Sequence, residues 1–262
     1  MLHADAAAVA GAGRAGRDRL TTDTFWRGYW AAHGHRLLRT VDGSMPGCDV
    51  LRRCAPTGRR RSFIEVGGFP GYYSIFARTR LGCRATLLDS YIDREAVSAL
   101  CAHNGVADSI ELIEGDLFCW KPRHLFELVF SSGFIEHFAD TEAVVAAHAR
   151  LARRGGHVVI QLPNFRGLNG LLQACFDRPL LRAHNRRCMD LSFLRTCFER
   201  CGLRVLSAEY CGMFNVWLES IEQRALALRW LVRSLNYLGN RVVRPAPSQL
   251  ASPYIVVVGQ KR

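Results

Sequence analysis

The stretch Phe63-Ile64-Glu65-Val66-Gly67-Gly68-Phe69-Pro70-Gly71-Tyr72-Tyr73-Ser74-Ile75-Phe76-Ala77, followed by Ala85-Thr86-Leu87-Leu88-Asp89, decides the fold. An apolar run ends in a carboxylate, a glycine-rich turn follows, and a short helical pattern leads to a second apolar run that also ends in a carboxylate. This predicts a strand, a tight loop, a helix and a parallel strand. In such a unit the ligand lies across the carboxyl ends of the strands, over the loop. Gly67 and Gly71 let the backbone come close to it, because a Cβ there would collide or forbid the required φ. Free N–H groups at the helix start can hold an anionic group. Asp89, about 20 residues beyond the turn, is placed to accept hydrogen bonds from ribose hydroxyls.

The turn is not the dinucleotide fingerprint G-x-G-x-x-G. Phe69 stands at the middle glycine position, and Glu65 just before the turn suits a cationic group better than a pyrophosphate. An acidic residue, one residue, then a glycine-rich turn resembles the first motif of class I S-adenosylmethionine-dependent methyltransferases: Glu65, Gly67 and Gly71 match it and Phe69 departs. In that family the loop lies under the methionine part of the cofactor, whose amino and sulfonium groups are positive. The resemblance implies a doubly wound, seven-stranded, mostly parallel α/β sheet of the Rossmann-like kind, with an added helical lid.

The following segments continue the alternation. Residues 93–106 carry one helical stripe, Ala96, Val97, Leu100 and Cys101, closed by Asn104-Gly105. Residues 109–114 alternate as a third strand that ends in Gly115-Asp116. In the resembling family an acidic residue here accepts from the adenine amine, which implies that role for Asp116. Residues 126–130 form a fourth strand running into Ser131-Ser132-Gly133-Phe134-Ile135-Glu136-His137. A Glu-His pair at this distance resembles the type 11, ubiquinone-biosynthesis-like branch. Asp140 caps the next helix, and residues 157–164 are a fifth strand ending in Pro163-Asn164. A sixth strand over 203–206 and a last, reversed strand over 254–258 complete the sheet.

The rest is additions. Residues 1–22 read as a disordered tail and not a signal peptide. Residues 23–41 carry Phe25, Trp26, Tyr29, Trp30, Leu37 and Leu38 on one helical face, with Asp23 as N-cap. That helix either packs on the domain or closes over the cofactor. Arg52, Arg53, Arg59, Arg60 and Arg61 read as a solvated link, completing an N-terminal helix and linker over 23–61 ahead of the domain at 62–262. Residues 165–189 and 211–250 are lid segments. Within them, 165–189 and the amphipathic helix expected over 214–238 mix leucines and tryptophans with arginines, which suits a pocket lid or a peripheral membrane contact.

The net charge of +12 comes almost entirely from arginine, since Lys121 and Lys261 are the only lysines, and no nucleic-acid partner is expected from it. The ten cysteines form no C-x-x-C pair, which signals neither zinc nor a redox couple and points weakly to a reducing, cytoplasmic location. No run approaches the roughly 20 apolar residues of a membrane span.

The expected activity is methyl transfer from S-adenosylmethionine, most simply to an oxygen of a small or lipid-linked acceptor. Glu65, Gly67, Gly71, Asp89, Asp116 and Ser131 are the expected cofactor contacts. His137 is the candidate base, its other reading being a structural histidine that caps the following turn. Glu136 alone supplies too few ligands for a metal, and none is expected. The alternatives are a nicotinamide-dependent oxidoreductase and an RNA-modifying methyltransferase.

Overall fold

The computed structural model describes residues 19–33, 37–58, 61–219 and 221–262. Strands β1 (Ser62–Val66), β2 (Arg84–Asp89), β3 (Ile110–Glu114), β4 (Phe126–Ser132), β5 (Ala152–Pro163), β6 (Leu203–Cys211) and β7 (Tyr254–Lys261) form one sheet in the order β3-β2-β1-β4-β5-β7-β6. All neighbours pair in parallel except β7, which runs antiparallel to both β5 and β6. The expected seven-stranded, mostly parallel α/β architecture is therefore present.

The central strands are buried on both faces, which is why they read as continuous apolar runs. Their side chains alternate between two cores. Ile64, Val129, Val158, Ile160 and Val257 face one layer, where helices α5 (Thr141–Leu151) and α8 (Leu191–Arg200) contribute Val144, Val145, Leu194 and Phe198. Phe63, Leu87, Leu128, Phe130 and Val256 face the other. There α2 (Cys48–Arg53), α3 (Tyr72–Arg80) and α4 (Arg94–His103) supply Leu51, Phe76 and Leu100. Asp93, Asp140 and Asp190 cap α4, α5 and α8 by accepting from Ala96, Ala143 and Phe193 backbone N–H groups, which fixes where each crossover enters the layer.

Two helical excursions sit beyond β5 and β6. The first holds α6 (Leu168–Phe176) and α7 (Arg178–Arg182), the second α9 (Leu226–Leu238). They share a small core of Leu172, Val216, Leu218 and Val232. Polar side chains stitch it: Asn169 Oδ1 accepts from Trp217 N–H at 3.2 Å, and Gln173 donates to Trp217 O at 2.6 Å.

Several local expectations need correction. The single helix expected over 214–238 is broken: a 3-10 turn spans Ile221–Gln223 and the α-helix begins only at Leu226, while Asn236 takes both the N–H and the carbonyl of Val216 and holds the first part against α9. The helix expected over 23–41 is α1 (Asp23–His33). Thr22 rather than Asp23 caps it, its Oγ1 accepting from Phe25 N–H at 3.1 Å. Arg52 and Arg53 are exposed, as expected, but they end a helix and not a link: they close α2, where Arg52 pairs with Asp49 and Arg53 reaches Glu209 at 3.0 Å. Arg59 and Arg60 lie outside the described residues. Of the tail expected over 1–22, residues 1–18 lie outside the described residues; the remainder is ordered against the domain, with the Arg19 backbone bridging Phe138 and Leu20 N–H donating to His137 O at 2.8 Å.

Phe130 is fully buried on the central β4, with Phe63 at 6.3 Å and Tyr73 at 4.6 Å between ring centroids. Phe130→Ala is expected to cost about 3–5 kcal/mol of stability through the cavity it opens, read as a lowered urea midpoint at unchanged slope.

Candidate active site

The strand order reverses between β1 and β4, and the loops at the carboxyl ends diverge there to leave a cleft. Its walls come from β1 and its turn (Val66, Gly67, Phe69), from the end of β2 (Leu88, Asp89, Ser90), from the loop after β3 (Gly115, Leu117) and from the loop after β4 (Gly133, Phe134, His137, Phe138). Arg19, Thr21, Trp26 and Trp30 of the N-terminal segment close it. Five strand or helix ends thus meet at one place, although in sequence they are spread over more than a hundred residues.

Asp89 is the carboxylate at the centre. Its Oδ2 accepts from Phe69 N–H at 3.0 Å and its Oδ1 from Tyr91 N–H at 3.1 Å, which joins the end of β2 to the glycine turn. Burial pushes its pKa up to about 6, against the pull of those N–H groups. Gly67 adopts φ +62°, and a Cβ there would stand 1.9 Å from the Phe134 ring. The turn therefore needs glycine both for its left-handed conformation and for the aromatic ring laid on its backbone. Phe69, the departure from the glycine pattern, fits because its ring leaves the turn to pack at 5.1 Å from Trp30 and 5.5 Å from Tyr91.

Glu65 does not line the cleft. It is buried beneath the turn, where Oε2 accepts from Ser74 N–H at 2.6 Å and Ser74 Oγ at 2.7 Å. The first turn of a helix attracts a carboxylate, and this one ties β1 to α3 across the turn. Burial raises its pKa to about 8, which its hydrogen bonds from Ser74 only partly oppose. Gly71 precedes α3 with φ +97° and is likewise outside the lining. Asp116 faces the N-terminal segment: Arg19 Nη2 lies 3.2 Å from its Oδ2, and its Oδ1 accepts from Phe118 N–H at 2.8 Å. Its neighbours Gly115 and Leu117 line the cleft in its place. Ser131 is buried within β4, its Oγ without a partner, and does not line the cleft either.

His137 is brought to the cleft by a short 3-10 turn, Ile135–His137. It is buried, with its Nδ1 unpartnered, and burial together with nearby His184 lowers its pKa to about 3. At neutral pH it is an uncharged imidazole with a lone pair available. Trp26 stands edge-on to it at 4.9 Å, and the Trp26 indole N–H donates to Thr21 Oγ1 at 3.1 Å. Of the two readings of the N-terminal helix, the covering one describes its position.

Arg19, Thr21, Phe134 and Phe138 were not legible as site residues. Arg19 and Thr21 carry no periodic signal in a stretch that reads as a tail, and the two phenylalanines flank a motif whose polar members draw attention.

The residues fit the expected cofactor at its nucleoside side. A half-buried strand-end carboxylate, a positive-φ glycine backbone and apolar walls suit a ribose and a flat base. Asp89, Gly67, Gly115 and Leu117 would hold it.

Comparison with known proteins agrees. The methyltransferase domain family matches residues 35–208. No curated protein matches the chain. Among solved structures, an S-adenosylmethionine-dependent methyltransferase from Archaeoglobus fulgidus is 16% identical with a TM-score of 0.53, over 81% of this chain and 92% of that one. Geranyl diphosphate C-methyltransferase from Streptomyces coelicolor, solved with Mg2+, geranyl diphosphate and S-adenosyl-L-homocysteine, is 10% identical with a TM-score of 0.54, over 82% and 76%. Phosphoethanolamine N-methyltransferase 2 from Haemonchus contortus is 17% identical with a TM-score of 0.56, over 81% of this chain and 51% of that one, so this chain spans about half its length. At these identities the likeness is one of fold.

The buried Glu65 yields a pH signature. Between its ordinary value of 4.5 and about 8, the folded chain keeps a proton that the unfolded chain has lost. Its contribution to stability is complete below the lower value and declines as pH rises to the upper. Glu65→Gln removes this titration while keeping an oxygen for Ser74. Urea midpoints from about pH 5 to 8 are expected to fall less steeply in the variant; equal slopes would contradict the assignment. With the fold, the cleft and the matched residues in agreement, the chain belongs to the methyltransferase domain family and is a class I, S-adenosylmethionine-dependent methyltransferase.

Proposed function

We propose that this enzyme methylates an oxygen of a small or lipid-linked acceptor that enters the cleft beside His137. The observation that carries the reading is the pairing of two unlike groups in one cleft: the half-buried Asp89 carboxylate at the end of β2, and the His137 imidazole after β4, whose Nδ1 has no partner. When bound, S-adenosylmethionine supplies an electrophilic methyl group whose departure leaves a neutral thioether.

The chain's own residues do the rest. Asp89 takes the ribose hydroxyls, and the Gly67 backbone admits the cofactor close to β1. Glu65, Gly71 and Ser131 shape the turn and floor from beneath, while Asp116 holds Arg19 over the adenine side. Trp26, Trp30 and Phe134 exclude water, so that the nucleophile is positioned with little solvent to reorganise. His137 accepts at Nδ1 the proton that an acceptor hydroxyl must lose. Solved relatives of this fold carry phosphomonomethylethanolamine or geranyl diphosphate, which supports a small acceptor without fixing its atom.

The lid supports the lipid-linked alternative within this class. Among the described residues no helix is long and apolar enough to cross a membrane. Yet α9 buries Val232 and leaves Leu226 67%, Trp230 64% and Tyr237 65% exposed, beside the exposed Arg233 and Arg241. An apolar ridge edged by arginines suits the headgroup region of an anionic bilayer.

Two measurements follow. Asp89→Ala is expected to raise the dissociation constant for S-adenosylmethionine at least about tenfold by titration calorimetry, roughly 1.4 kcal/mol, with the chain still folded; unchanged affinity would remove Asp89 from the site. For the lid, phosphatidylglycerol vesicles are expected to sediment the wild type but much less of the double variant Trp230→Ser, Leu231→Ser. Equal sedimentation of both would assign the ridge elsewhere.

A further inference from the structure

The cleft is bordered by a cation whose donors are not all in use. Arg19 lines its wall together with Gly115 and Leu117, the residues set beside the base. Both arms of its guanidinium are engaged: Nη1 donates to Asp23 Oδ1 at 2.9 Å, and Nη2 lies 3.2 Å from Asp116 Oδ2. Its Nε is buried and has no partner. A guanidinium is a planar fork with fixed donor directions. With a carboxylate on each arm, the plane cannot turn to find Nε–H another acceptor. A donor on a charged group, shut away from water and unpaired, is costly. An acceptor seated in the cleft that Arg19 borders would relieve it.

The arginine is held at this place from several sides. Its backbone bridges Phe138, and Leu20 N–H donates to His137 O at 2.8 Å. Its Cζ lies 5.6 Å from the centroid of the Phe138 ring. Asp23 is fixed in turn by Ser90 Oγ at 3.0 Å. Arg19 therefore joins the loops that follow β2, β3 and β4, and its own segment is paired to the turn that carries His137.

The carboxylate expected to meet the base is turned away by the same contact. Asp116 Oδ2 faces Arg19, Oδ1 accepts from Phe118 N–H at 2.8 Å, and Asp116 does not line the cleft. What borders the cleft at this point is a donor where the resemblance implied an acceptor. The exocyclic amine of adenine offers a donor and cannot satisfy Nε–H. The ring nitrogens of adenine accept and can.

We propose that Arg19 reads the base of the cofactor, its Nε–H donating to a ring nitrogen, and that Asp116 is the positioning residue that aims it. The polarity of base recognition is thereby reversed: the chain selects for an acceptor in the ring and not for the amine outside it. This inference rests on the cofactor placement proposed above and names the residue that reads the base within it.

The test is titration calorimetry on the full chain with S-adenosyl-L-homocysteine and its 1-deaza, 3-deaza and 7-deaza analogues, each of which replaces one ring nitrogen by C–H. The wild type is expected to bind one of the three analogues at least about tenfold more weakly than the parent compound. Arg19→Met keeps an apolar stem against Phe138 and removes the donors. It is expected to weaken the parent compound by a similar factor and to bind that analogue no worse than the parent, so that the two changes are not additive. A merely structural arginine would lower all four affinities alike, and that result overturns the proposal. Thermal unfolding shows whether Arg19→Met is folded, and the analogue series on the wild type carries the test should it fail to fold: parent binding that no deaza substitution weakens overturns the proposal and leaves the ribose reading of Asp89 in place. Absence of any binding by the parent compound overturns both. Asp89→Ala, in contrast, is expected to weaken all four ligands and keep the discrimination among them.

Discussion

The site depends on one carboxylate placed at the end of a buried strand. Asp89 takes two backbone N–H groups, one from the glycine turn after β1 and one from its own loop. Those bonds hold two parallel strand ends at a fixed spacing, and the cleft is the gap they leave. Burial makes the charged form expensive there, so Asp89 is held near its titration range rather than far below it. Trp26 and Trp30 of the N-terminal segment lie over it as an aromatic cover.

Everything above the carboxylate adapts to it. The N-terminal segment is fastened by Arg19, which reaches Asp116 and Asp23, and by Trp26 packed on His137. Tyr29, whose hydroxyl is pushed up to about 12 by burial and by its bond to Glu219, links that segment to the lid. Cover and lid therefore touch each other as well as the cleft.

The sheet was legible because its signals are local and repeated. Each apolar run, each capping aspartate and each glycine turn can be read without knowing its neighbours in space. Asp89 and Gly67, which line the cleft, stand at the ends of β2 and β1, and His137, which also lines it, follows β4 on a short 3-10 turn. Glu65 was read into the cleft, but Ser74 draws it under the turn, a competition between helix start and ligand that strand position does not reveal. Asp116 turns to Arg19, a residue whose stretch looks like a tail. What the sequence hides is long-range juxtaposition, because a single pairing across the fold leaves no periodic trace.

The central claim is that the cofactor lies between the Gly67 turn and the Asp89 carboxylate. A crystal structure of the chain soaked with S-adenosyl-L-homocysteine tests it most directly. The account predicts density in that cleft, with ribose oxygens on Asp89 and the base beside Gly115 and Leu117. Ligand density elsewhere on the chain, with Asp89 still bonded only to Phe69 and Tyr91, would contradict it.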